Sequence, residues 1–166
     1  MINIILYHPE IPANTGNILR TAMASNSKVH IIGPIPFSLD DKSLKRAGMD
    51  YLLDANYVYY ENYEQFVKQI GDVEIYYVTK YGKQLYCDVD FKDPASDAYI
   101  MFGRESTGID KEILKEHLDH TLRIPMLSTA RSLNLSNCVA LVTDDILRQK
   151  KFPGLATFDM IHKYDI

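Results

Sequence analysis

The stretch Ile124 to Asn137, IPMLSTARSLNLSN, gathers an unusual density of short hydrogen-bonding side chains. Ser128, Thr129, Ser132, Asn134, Ser136 and Asn137 fall between an apolar strand end and a strongly helical segment. Hydroxyls and amides of this size cap helices and line polar sites. Taken alone, the stretch reads as an over-built helix N-cap. Two other loops of the same character change that reading. One is Asn14-Thr15-Gly16-Asn17, followed by Arg20; the other is Phe102 to Gly108, FGRESTG.

Each loop carries candidate chemistry beside an ordinary structural alternative. Gly16 and Arg20 lie four apart and share a helix face. Arg20 can meet an anion there, beside helix N-terminal amides, or make a surface ion pair. Gly103 directly after a strand allows close backbone approach to a flat ligand, or simply a tight turn. Glu105, bracketed by Gly103 and Gly108, is a polar site candidate or a capping acid. His8 could act as a base, although a histidine beside a proline is more often structural. Neither glycine loop fits the dinucleotide fingerprint or the P-loop, so both templates are rejected. Cys87 and Cys138 have no metal-type spacing. Cys138 falls on an apolar helical pattern and reads as a buried thiol in the reducing cytoplasm.

These loops need elements to hold them. INIILY (residues 2–7) is a short continuous apolar run, which fits a buried parallel strand. HPEIPANTGN is a loop by turn chemistry, and a helix is expected from Asn14 or Thr15 to about Ser25. KVHII (28–32) reads as a second buried strand. Asp40 to Ala47 reads as a polar helix closed by Gly48. A short strand is expected at Tyr57–Tyr60, and an amphipathic helix at Tyr63–Ile70 with Phe66, Val67 and Ile70 on one face. EIYYV (74–78) and AYIMF (98–102) read as strands, separated by a long irregular segment, 79–96, of the kind that is usually functional or mobile. Asp110 can cap a short helix to Glu116. Thr121–Ile124 is the last strand. Leu135–Lys150 is the longest helix, ended by Pro153-Gly154, and the tail after it carries Phe158, Met160 and Ile161 at helical spacing. Strands alternating with helices specify an α/β fold with a mostly parallel sheet in one domain, 1–166. Ligands of such sheets bind outside the carboxyl ends of the strands, where the three loops fall.

The chain has 166 residues, 46% hydrophobic and 24% charged, an ordinary globular balance with room for a real core. No run approaches membrane-spanning length and no charged leader precedes an apolar stretch. The net charge of −4 lacks a basic footprint overall. Lys42, Lys45 and Arg46, with Lys80 and Lys83, still offer a local phosphate track. Some of the 12 tyrosines could stack on bases, though packing suits most of them better.

Four segments carry a resemblance: IILYHPEIPANTGNILR, DDKSLKRAGMDY, MFGRESTGI, and RIPM followed by RSLNLSN. In order and spacing they resemble the SPOUT superfamily of knotted RNA methyltransferases. Within it they resemble the small single-domain tRNA 2′-O-methyltransferases, over nearly the whole chain. The resemblance implies a deep C-terminal trefoil knot, S-adenosyl-L-methionine as cofactor, a homodimer, and no metal. It implies cofactor contacts at Val78, Gly103, Ile124, Met126, Ser132 and Leu133, with Arg20, Ser132 and Asn134 in catalysis. It further implies RNA contacts at Asn14, Gly16, Asn17, Arg46, Glu105 and Arg131. The implied substrate is the wobble nucleotide, cytidine or a modified uridine, in the anticodon stem-loop of leucine tRNAs. In related enzymes the arginine at the position of Arg20 serves as base; since arginine stays protonated, Arg20 is read here as a phosphate anchor that orients the ribose hydroxyl. One departure is Asp144-Asp145, where a Tyr-Glu pair is common. The alternatives are another tRNA or ribosomal RNA site, an RNA-binding assembly factor without transfer activity, and a flavodoxin-like small-molecule binder.

Overall fold

The computed structural model describes residues 1–40, 42, 46 and 55–158. Its centre is a seven-stranded sheet, all of whose pairings are parallel. The strands are β1 (Ile2–Tyr7), β2 (Lys28–Ile32), β3 (Tyr57–Tyr60), β4 (Ile75–Val78), β5 (Gln84–Leu85), β6 (Ala98–Phe102) and β7 (Thr121–Arg123), in the order β3-β2-β1-β6-β4-β7-β5. Helices among the described residues include α1 (Pro12–Ala24), α2 (Tyr63–Ile70), α3 (Lys111–Glu116) and α4 (Leu135–Gln149).

Strand side chains alternate between faces, so a strand covered on both sides is apolar throughout. β1 shows this directly. Ile4 and Leu6 join one core with Ile18 and Leu19 of α1 and Val139, Val142 and Ile146 of α4. Ile5 and Tyr7 join the other core with Phe66 of α2, Tyr77, Met101 and Leu114 of α3. Both Ile4 and Ile5 are fully buried, each contributing about 1.5–3 kcal/mol of apolar burial.

Some element boundaries differ from expectation. α1 begins at Pro12, whose fixed φ suits the first helical turn, so Asn14 and Thr15 are already helical and buried. Val67 of α2 is 45% exposed, and Phe66 alone is deeply buried on that helix. Asp110 stands at the N-cap of α3 but makes no capping bond. Its carboxylate is taken by Tyr7 Oη (2.5 Å) and Arg104 Nη2 (2.7 Å). α4 ends at Gln149, before Pro153-Gly154, because Lys151 and Phe152 both turn the chain at positive φ. The long segment after β4 contains the edge strand β5. Of the polar helix expected near Asp40, only Lys42 and Arg46 are described; both are helical and exposed. Lys45, Gly48, Met160 and Ile161 lie outside the described residues, and Phe158 is exposed.

β7 lies between β4 and β5, two strands joined only through residues 79–83. The joining loop packs tightly on β7: a Cβ added at Gly82 would stand 2.3 Å from the Leu122 carbonyl carbon. Thr79 N donates to Leu122 O (2.9 Å) and Lys83 N to Thr121 O (3.1 Å).

Candidate active site

The carboxyl ends of β4, β6 and β7 open into a cleft of about 850 Å³, a size that suits a cofactor. Val78, Phe102, Ile124 and Leu135 supply apolar lining. Around them stand the residues 79–81, the turn 103–109, and the stretch 130–134. Of the sequence-derived candidates, Asn14, Val78, Gly103, Glu105, Ile124, Met126, Arg131, Ser132, Leu133 and Asn134 all line this one cleft. Gly16, Asn17, Arg20 and Arg46 do not. Gly16 is buried within α1, while Asn17, Arg20 and Arg46 are exposed. Among the described residues Arg20 has no ion pair.

The three loops are tied to one another by amide and carboxylate bonds. Asn134 caps α4: its Oδ1 accepts from Ser136 N (2.9 Å), Ser136 Oγ (2.6 Å) and Asn137 N (3.3 Å). Its Nδ2 donates to Asn14 Oδ1 at 3.0 Å. Asn14 Nδ2 in turn donates to Glu105 Oε1 at 3.1 Å. Glu105 also accepts from Glu10 N (2.8 Å) and Ile11 N (3.0 Å), where α1 leaves backbone donors unpaired. Glu10 answers from the other side. Its Oε1 accepts from Ser106 N (3.0 Å) and Oγ (2.7 Å), and those bonds hold its carboxyl below the usual range. Glu105 is therefore a clasp between loops, with its oxygens already engaged. The hydroxyl of Ser132 and the guanidinium of Arg131 are free of such bonds among the described residues and exposed.

Gly103 is required for a reason other than ligand approach. A Cβ there would lie 2.3 Å from the Gly108 carbonyl carbon and 2.5 Å from Ile109 N. The turn 103–109 folds back on Gly103, closed by Gly108 N to Arg104 O at 3.0 Å. The open side of the turn is at Gly108, where φ is +74° and no atom lies within 4 Å of an added Cβ. Only glycine takes that backbone without strain.

Sequence reasoning missed the group behind this turn. The Arg104 guanidinium lies 5.0 Å from the Tyr7 ring centroid, and its Nε is buried without a partner. Burial, then the bond to Asp110, pushes the Tyr7 hydroxyl above its ordinary range. His8 stands alongside, its ring 4.2 Å from that of Tyr7, on a backbone of φ +49°. Burial lowers its pKa, which favours the neutral ring. Tyr7 ends a strand 103 positions before Asp110, so no local signal links the two; only the fold brings them together. Of the cleft's charge, the sequence marks Lys80 and Arg131 but not Arg104 and Lys111. Lys80, Arg104, Lys111 and Arg131 line the cleft against the single carboxylate of Glu105, a basic site in an acidic chain.

Comparison with known proteins adds to this geometry. The model of the SpoU rRNA Methylase family matches residues 1–144. A Geobacillus stearothermophilus protein, provisionally named a tRNA (cytidine(34)-2′-O)-methyltransferase, is 48% identical over 155 residues, covering 93% of this chain and 99% of its own. A Bacillus anthracis protein provisionally named an RNA methyltransferase shares the fold at a TM-score of 0.88, with 43% identity over 100% of both chains. A structure from work on 2′-OH methylation of C/U34 on tRNA matches at a TM-score of 0.83, with 33% identity over 91% of each chain.

Proposed function

The chain belongs to the SpoU rRNA methylase family, and we propose on that ground that it methylates the ribose 2′-hydroxyl of nucleotide 34 in a tRNA. The single observation that carries the reading is the joining of the three motif loops through Asn134, Asn14 and Glu105 around one basic cleft. The names of the similar proteins supply the nucleotide. Cytidine is the first candidate there, a modified uridine the second, and leucine tRNAs the expected carriers.

S-adenosylmethionine suits the cleft. An apolar floor of Val78, Phe102 and Ile124 fits a purine, and the open side of Gly108 leaves room beside exposed backbone. Val78, Gly103, Ile124, Met126, Ser132 and Leu133 would hold it. When bound, the cofactor supplies an electrophilic methyl group on a sulfonium. The protein's part is positioning and proton removal. Positioning of two reactants supplies several kcal/mol of the barrier, on the order of 7–11 at its best. The clasp through Glu105 and Asn14 fixes the Asn134 end of the cofactor loop against α1. Ser132 and Arg131 remain free to meet the ribose and its phosphate.

Arg20 lies off its own chain's cleft, which fits a homodimer in which α1 of one protomer faces the site of the other. There its fork would hold the phosphate and orient the hydroxyl, whose proton leaves to a phosphate oxygen or to the Ser132–Asn134 loop. Exposed Met23 on α1 and Leu141 on α4 give such a pair an apolar surface. The place of β7 between β4 and β5 accords with the trefoil knot that the family resemblance implies. A cytoplasmic setting accords with tRNA as substrate.

The test is direct. Purified protein, S-adenosylmethionine and unmodified tRNA should yield 2′-O-methylcytidine at position 34, read by nucleoside mass spectrometry of the mapped fragment. Methylation at another tRNA position or in ribosomal RNA would replace the substrate. Cofactor binding with no transfer to any RNA would favour the assembly-factor reading.

A further inference from the structure

We infer that Tyr81, with Lys80 over its ring, is a stacking platform for a base of the substrate RNA; the inference rests on the proposed RNA methylation and deepens it. Tyr81 stands on the loop between β4 and β5 and lines the cleft. It is 54% exposed, although it is a large aromatic residue. Its hydroxyl has no hydrogen-bond partner among the described residues. Packing therefore does not account for it.

Bonds to its backbone hold the loop that carries the ring, and leave the ring uncovered. Tyr81 N donates to Thr79 Oγ1 (3.3 Å), Gly82 N to Thr79 O (3.1 Å), and Arg123 Nη1 to Lys80 O. Gly82 is pressed against the Leu122 backbone, so the loop has little room to collapse inward. The Lys80 ammonium sits 5.2 Å from the Tyr81 centroid, which adds a cation beside an exposed π-face. An exposed aromatic face with an adjacent cation is a combination that binds single-stranded nucleic acid, the base stacking and the phosphate meeting the charge. Lys111 and Arg131 extend the positive lining across the same cleft. The ligand class is an unstacked nucleotide next to the one being methylated, or that nucleotide itself.

The experiment is a coupling measurement with full-length protein and an RNA hairpin presenting the cytidine in its loop. Binding is read by fluorescence anisotropy, with abasic nucleotides placed one at a time along the loop. Tyr81→Ala should weaken the intact hairpin by about tenfold, and Tyr81→Phe should bind as wild type. At one abasic position the loss from Tyr81→Ala should vanish, because the ring and the missing base are the two halves of one contact. S-adenosylhomocysteine affinity and oligomeric state should be unchanged in Tyr81→Ala. Additive losses at every loop position would overturn the inference, as would a loss confined to cofactor affinity or to dimerisation. A wild-type protein that binds no RNA hairpin at all would overturn the proposed function itself.

Discussion

Asn134 Nδ2 donates to Asn14 Oδ1 at 3.0 Å, joining the start of α4 to the first turn of α1. Asn14 passes the connection to Glu105, so three loops distant in sequence share one chain of bonds. The cleft is built by that chain, and its members can be tested individually.

Glu105→Ala should cost about 1–3 kcal/mol of stability, because Glu10 N, Ile11 N and Asn14 Nδ2 lose a common acceptor. Glu105→Gln keeps the shape but turns a donor toward one of those N–H groups. It should recover only part of the melting temperature and little methyl transfer. Full activity in the glutamine variant would show that the clasp does not position the site.

Gly103→Val should lower melting temperature and cofactor affinity together. The added side chain meets the backbone of Gly108 and Ile109, so the whole turn must shift. Loss of cofactor affinity at an unchanged melting temperature would return Gly103 to the role of ligand contact. Thermal denaturation and calorimetry on the same preparation separate the two.

His30 gives the fold an acid limit. Buried in the sheet, its Nε2 donates to Asn3 Oδ1 (3.1 Å), and Tyr60 Oη donates to its Nδ1 (2.8 Å). Both bonds suit the neutral ring. Burial, then nearby Lys28, holds its pKa down from 6.5 to about 4. The unfolded state takes up the proton first, so this contribution is complete above pH 6.5 and is lost as pH falls toward 4. Melting temperature should fall across that window, and His30→Gln should flatten this part of the profile. An unchanged slope in the variant would place the acid sensitivity elsewhere.

The sheet was legible in the sequence because β1, β2, β4 and β6 are short apolar runs bounded by turn residues, and period and length define such strands. Most of the cleft was legible too, since Gly, Ser and Asn cluster where strands end. The roles inside it were less so. Nothing local in MFGRESTGI says that Glu105 turns to the N-terminus of α1, or that Gly103 faces its own loop. Tyr81 sat unmarked among many tyrosines, because exposure is a property of the fold. Arg20 was singled out by spacing, yet spacing could not show that it is absent from the lining of its own cleft.

RNA binding should weaken steeply with salt despite the net charge of −4. Lys80, Lys111 and Arg131 line the cleft, and each phosphate they neutralise releases counterions. Each alanine substitution that removes a phosphate contact should reduce the slope of log K against log salt by about one. A flat salt response in the wild type would argue against a phosphate track.

The sharpest prediction concerns where the active site is assembled. Arg20 is exposed on α1 and absent from the cleft lining of its own chain, whereas Asn134 lines that cleft. If Arg20 serves the neighbouring protomer, Arg20→Ala should abolish transfer with cofactor affinity intact. Asn134→Ala should also abolish it, by releasing the α4 cap and the tie to Asn14, at a stability cost of about 1 kcal/mol. Arg20→Lys should fail as well where forked recognition of phosphate is needed. Each variant homodimer is then inactive for a different reason. In a mixed dimer one site carries both lesions and the other carries neither. About half of wild-type activity per mixed dimer should return if the two sites act independently. Tandem affinity tags isolate the mixed species, and single-turnover transfer reads it. Recovery would place Arg20 of one protomer at the cleft of the other. No recovery in verified mixed dimers would overturn the shared site with independent halves, and a monomer by light scattering would overturn it sooner.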